Sequence, residues 1–274
     1  MRKNLSLLFV LLLFLWPGHK LQAQEGHQVL AETSPSHLFL GADLVSRYVW
    51  RGMMLGGNSP AIQPYFTYDY KGFEAGVWSS FTLSGNNYSQ EVDLHLSQTF
   101  AKGMFTVTLT DYFFPSDTGS YNYFDYRNQN TGHILEGTLA FNGTDKFPLT
   151  FLVATNFFGA DAARIERDPA SPQFNRKTGI QYSTYFELGY PFTVKGADIN
   201  AFIGFNATTP RKADEATGYI GESGFYGTGF GVVNLGFTAS KAVSLTKKYA
   251  LPLSVSMMTN PQSGKIFFVF GISF

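Results

Sequence analysis

From residue 38 to its end, the chain alternates apolar and polar side chains with a period of two, in about twelve segments. The last segment is the plainest. Ile266, Phe268, Phe270, Ile272 and Phe274 share one face, while Lys265, Gly271 and Ser273 share the other. Successive side chains of a strand point to opposite faces, so each segment has an apolar side and a side that tolerates water. Repeated along the chain with short connections, this pattern predicts an all-β fold. The expected architecture is a transmembrane antiparallel up-and-down β-barrel of about 12 strands.

The other segments carry the same rhythm. Residues 38–50 set Leu38, Leu40, Ala42, Leu44, Tyr48 and Trp50 against Asp43, Arg47 and Arg51. Residues 61–70 set Ile62, Phe66, Tyr68 and Tyr70 against Gln63, Thr67 and Asp69. In 73–83, Phe73, Val77 and Phe81 oppose Glu74, Ser80 and Thr82; in 90–100, Leu94 and Leu96 oppose Glu91, Asp93, His95 and Ser97. Further strands are expected at 104–114, 131–141, 149–158, 179–190, 198–208, 227–245, 251–258 and 265–274, with Glu136, Asn156, Glu187, Asp198 and Asn200 on their polar faces. Most match the roughly 9–11 residues of a tilted membrane-spanning strand. Lys241 falls on the apolar side of its segment, which predicts a bulge or an early strand end there. Short turns such as Lys71-Gly72 and Lys102-Gly103 alternate with longer polar loops at 52–60, 115–130, 159–178 and 209–226. An even strand number with that asymmetry places both termini on the short-turn side.

The N-terminus predicts export. Arg2 and Lys3 precede an apolar run from Leu5 to Trp16, then Pro17, Gly18 and a small-residue site at Ala23. That is the form of a signal peptide over residues 1–23, and it is shorter than the roughly 20 residues a spanning helix needs. A short periplasmic segment, 24–37, would precede a barrel over 38–274. Removing the leader takes away Arg2, Lys3 and Lys20, leaving a slightly acidic chain, unlike a basic nucleic-acid binder. The chain has no cysteine, which excludes disulfides and thiolate metal sites. Aromatics at 17% with charged residues at only 15% suit an aromatic-girdled barrel. A secreted β-sandwich also alternates, but it does not explain the aromatic last strand or the turn–loop asymmetry. Nor does it explain aromatic pairs at strand ends: Tyr48 with Trp50, Phe113 with Phe114, Phe157 with Phe158, Phe225 with Tyr226. Those pairs suit a membrane–water boundary.

The string Ser46-Arg47-Tyr48-Val49-Trp50-Arg51-Gly52, followed by Pro60-Ala61-Ile62-Gln63-Pro64, resembles the opening motif of the TorF-type porin family. Arg-Tyr-Val-Trp-Arg-Gly is its specific part, and Asn260-Pro261 before the last strand is also similar. The insertions at 115–130 and 159–178 depart from shorter members. The resemblance implies a bacterial outer-membrane barrel that passes small hydrophilic solutes; it supplies no particular ligand. A terminal strand ending at Phe274 likewise resembles the segment that barrel assembly machinery reads.

Charges in such a fold belong inside, since a charge on the lipid face costs roughly 2–4 kcal/mol at midplane. The lumen-facing candidates are Asp43, Asp69, Glu74, Glu91, Asp93, Glu136, Glu187 and Asp198, with Arg47, Arg51, His95 and Lys265. An acidic water-filled lumen would favour cations. Alternatively the charges pair and plug a narrow barrel that acts structurally, or in adhesion, through its loops. Arg47 and Arg51 would lie about 13 Å apart on one strand face, as a basic ladder or as partners of Asp43 or Asp69. A hydrolase is the remaining alternative: Asp93 and His95 share a face, as an orienting carboxylate and a base would. His133 lacks an adjacent serine, and the glycine-rich stretch 221–231 lacks the lysine of a phosphate loop. No catalytic residue, metal or cofactor is therefore expected. The loop at 161–177, with Arg164, Glu166, Arg167 and Asp168, could enter the lumen or stay on the surface. The expected partners are outer-membrane lipid, the assembly machinery and small hydrophilic solutes, with no nucleic acid.

Overall fold

The computed structural model describes residues 37–84, 89–115, 122–127, 131–247 and 249–274. The expected leader, 1–23, and all but His37 of the segment after it lie outside the described residues. The first half of the barrel has β1 Leu38–Val45, β2 Ala61–Tyr70, β3 Phe73–Thr82, β4 Gln90–Phe100, β5 Phe105–Phe113 and β6 His133–Phe141. The second half has β7 Thr150–Gly159, β8 Thr184–Val194, β9 Ala197–Asn206, β10 Gly231–Ser244, β11 Ala250–Asn260 and β12 Lys265–Ser273. Each pairs antiparallel with its neighbours in sequence, and β12 returns to β1 to close the barrel. Closure leaves no open sheet edge. No helix occurs among the described residues.

Antiparallel partners share a face, so register carries the interior from strand to strand. Asp43 lies opposite Gln63 and Ser273, Glu74 opposite Ser97, His95 opposite Thr110, and Glu187 opposite Gly204. Outward residues form an exposed apolar band that includes Leu40, Phe66, Leu96, Leu139, Leu188 and Phe268. Tyr68, Tyr70, Phe73, Phe100, Tyr190 and Phe192 ring its lower edge. This lower edge is the turn end, which holds β1's start, β12's finish and most of the short connections; the turn at 261–264 lies at the other end. Lys71-Gly72 and Lys195-Gly196 cross it with positive φ at both residues (50° and 83°; 51° and 72°). That backbone matches the twist of two-residue hairpins. The longer connections gather at the opposite loop end.

Three expectations need correction. The first segment is not one strand to Trp50: β1 stops at Val45, where Ser46 exchanges bonds with Phe270 of β12. Val49–Trp50 and Met53–Met54 then form a separate small hairpin. Arg47 and Arg51 therefore do not form a ladder on one strand. The eighth strand runs later than 179–190: Lys177–Ile180 pairs instead with Ala163–Ile165, and β8 continues through Pro191 to Val194. Proline is tolerated because β8's pairing with β7 stops at Gly189, leaving no acceptor on that side. Finally, β10 neither bulges nor ends at Lys241, which pairs with Leu253. Its stem lies along the apolar face while Nζ reaches the Lys195 carbonyl at the turn end, 3.1 Å away.

Candidate functional site

The lumen divides into two halves of different chemistry. Towards the turn end it is lined by small and hydroxylic residues, among them Gly41, Thr67, Gly76, Ser97, Gly189 and Ser254, with Asp43, Asp69, Glu74 and Asp198 between them. His95 fits over Gly76, where a Cβ would meet its ring at 2.6 Å, and so reaches the Glu74 carboxylate at 3.1 Å. Asp93 shares the face of His95, but the imidazole is turned to Glu74. Asp198 accepts from Thr193 Oγ1 at 2.9 Å.

The loop-end half is filled by the chain that follows β1. Tyr48 packs against Trp78 of β3, with ring centres 5.4 Å apart. The hairpin then turns at Arg51 (φ 48°) and Gly52 (φ 76°), the conformation of a two-residue type I′ turn. A Cβ on Gly52 would lie 1.9 Å from the Val233 carbonyl, so only glycine permits this approach to β10. Asn260 Nδ2 donates to the Gly52 carbonyl at 3.1 Å and pins the turn to β11.

That turn delivers Arg51 to Glu136 of β6. Nη1 donates to Oε2 at 2.5 Å and Nη2 to Oε1 at 3.0 Å, a two-pronged contact between buried groups. Glu136 also accepts from the hydroxyls of Tyr112 (3.0 Å), Tyr226 (3.1 Å) and Thr138 (3.1 Å). A register shift between Leu135 and Glu136 marks a bulge beside this carboxylate. Above the guanidinium lie the rings of Trp50, Tyr185 and Tyr226, with centres 4.4, 4.8 and 5.7 Å from Cζ. Tyr185 donates to the Glu187 carboxylate, and Asn234 Nδ2 reaches the same carboxylate at 3.1 Å. Glu91 and Asp93 are buried on β4, Arg47 sits half-buried on the bend after β1, and Lys265 is exposed at the mouth.

Two aromatic pairs expected at a membrane boundary thus have another place: Tyr48 with Trp50, and Phe225 with Tyr226, fill the mouth of the lumen. Trp50 meets Tyr112, Phe225 and Tyr226 at ring separations of 5.4, 6.4 and 5.8 Å. Over the mouth, Glu222 joins two loops. Its shielded carboxylate accepts from Arg164 Nη1 (2.7 Å) and from the amides of Ile165 (3.1 Å) and Arg211 (2.9 Å). Burial pushes this carboxyl up, but the two amides and the guanidinium outweigh it and hold it below its ordinary value. The loop at 161–177 is therefore a braced flap at the mouth, with Arg167 and Asp168 exposed.

One cluster escaped the sequence reading. Asp111 and His133 lie on the outward phase at the loop end, with His133 Nδ1 2.8 Å from Asp111 Oδ1. Nε2 faces the Tyr123 carbonyl at 2.6 Å, and the Tyr126 ring stacks 4.0 Å away while its hydroxyl donates to Asp111. An acid interrupting the apolar phase of Val107, Leu109 and Phe113 was the available clue. Among the described residues, no group of three His, Cys, Asp or Glu is arranged to hold a metal.

Fold and interior together define a closed twelve-stranded β-barrel with a polar lumen and a loop-built stopper at one end. Residues 30–242 match the family described as "Bacterial protein of unknown function (Gcw_chp)", and the chain belongs to that family. No curated protein matches it.

Proposed function

We propose that this protein is a bacterial outer-membrane channel for passive diffusion of small hydrophilic solutes, shut at its outer mouth by the Arg51 stopper. Exposed apolar residues around the whole barrel support a lipid environment, because a water-soluble barrel would not present such a band. The expected leader fits export, and the strand ending at Phe274 fits recognition by the assembly machinery. Recovery of the processed chain as a detergent-free periplasmic protein would overturn the location.

The observation that carries the channel reading is how the lumen is closed. A permanently solid barrel gains most from apolar filling, since a buried ion pair pays heavily for lost hydration. Here aromatic rings pack around one buried Arg51–Glu136 salt bridge held by hydroxyls, above a half-lumen of hydroxyls and carboxylates that suits water. Excess acid along the interior favours cations. In planar bilayers the wild-type protein is expected to conduct weakly, and Glu136→Gln several-fold more, with reversal potentials in a KCl gradient showing cation preference. Anion preference would defeat the selectivity. If neither protein conducts, the barrel is a closed structural or adhesion device working through its braced mouth loops. Hydrolysis finds less support: His95 has no hydroxyl partner among the described residues, and both ring nitrogens of His133 face acceptors.

A further inference from the structure

Beside the stopper, at the loop end, lies a cleft of about 580 Å³. That is within the range of small-molecule sites, roughly 300–1,000 Å³. Its apolar bed is Met53, Met54 and Phe225, underlaid by the buried Phe267, and its charged lining is Arg211, Lys212, Lys265 and Glu222. Glu222 is already engaged by Arg164 and two amides, and Arg211 keeps a looser 3.8 Å contact with it. Lys212 and Lys265 have no acidic partner among the described residues. The cleft is therefore net positive, at the mouth of a lumen that is net acidic.

The walls are built rather than loose. Gln262 Oε1 accepts from the Thr228 amide at 2.9 Å, and its Nε2 donates to the Gly229 carbonyl at 2.9 Å. These bonds lock the loop before β10 to the turn between β11 and β12. Gly224 and Gly227 allow that fold, since a Cβ on either would strike the Gly227 carbonyl at 1.9 Å or Gln262 Oε1 at 2.3 Å. A cleft held in shape spends less of its binding energy on ordering itself.

We infer that this cleft is a binding site for small organic anions with a flat apolar body, of the aromatic carboxylate class. The ring would lie on the methionine and phenylalanine bed, and the carboxylate would face Lys212 and Lys265. A bare inorganic anion leaves the bed unused; a cation meets repulsion from both lysines. Because binding at the mouth does not require conduction, the inference stands or falls separately from the channel reading.

The test is calorimetric titration of the full exported chain in a non-ionic detergent, using benzoate, benzamide, benzylamine and inorganic phosphate. Benzoate is expected to bind at one site and more tightly than the other three. Lys212→Gln combined with Lys265→Gln is expected to weaken it about tenfold, the scale of two exposed charge contacts. Lys247→Gln, at the turn end, should leave it unchanged. Both lysines are solvent-exposed, so heat-modifiable gel mobility should show the double variant folded. No benzoate binding, equal binding of benzylamine or phosphate, or undiminished affinity in the double variant would each overturn the inference.

Discussion

Gly52 shows how much of the mouth depends on one missing methyl group. The residue combines positive φ with contact against the Val233 carbonyl, and its neighbour Arg51 reaches Glu136 only because the turn is that tight. Gly52→Ala is expected to cost about 1–3 kcal/mol from backbone strain alone, with the clash against β10 in addition. The hairpin should lift, and tryptophan emission should shift to longer wavelength as Trp50 leaves Tyr112 and Tyr226 for water. An unshifted spectrum would mean that the wall moves and the hairpin stays. Sequence alternation places Glu136 inside correctly, because a carboxylate opposite Leu135 has only one tolerable side. It also sets Arg51 towards the lumen, but on a strand beside Arg47, whereas the side chain is aimed there by a turn. A period-two reading has no means of seeing a two-residue reversal that continues the same phase.

Among elements, the strands were the most legible, because burial on one side is written into every second residue. Their limits were less so. The expected start of β8 falls too early because 177–180 has strand character of its own and uses it in a separate hairpin. The lid formed by the braced flap was legible only as a charged loop at 161–177: its clasp brings Arg164 to Arg211 and Glu222 of a different loop, and they meet only through loop folding. Its pH response follows from the direction in which Glu222 is shifted. A carboxyl held below its ordinary 4.5 in the folded lid contributes stability fully above that value. The contribution disappears as pH falls below 4.5 through the depressed folded value. Hydrogen exchange at the Ile165 and Arg211 amides, corrected for intrinsic rate, should stay slow at neutral pH and accelerate in that acid window. Glu222→Gln should remove the acid-dependent step.

At the scale of the whole molecule, the barrel is closed but not evenly. β10 and β11 pair through ten residues from Leu235 to Ser244, whereas β1 and β12 pair through Asp43, Leu44 and Val45 alone, with flanking backbone bonds at Ala42 and Ser46. Opening should therefore begin at this seam. Amides of Asp43–Val45 and Gly271–Ser273 are expected to exchange before those of β10 and β11, and simultaneous exchange would count against a weak seam. The overall class, an all-β barrel with an apolar exterior, was readable because closure is the common answer to a dozen one-sided strands. What the alternation could not disclose is that the first long loop turns inward. That loop is anchored covalently at both sides, to β1 at Val45 and to β2 at Ala61, so the stopper is a tethered cork. In the proposed channel, withdrawal and return of the stopper would be unimolecular steps; reclosing would need no second molecule, and its rate would not depend on protein concentration.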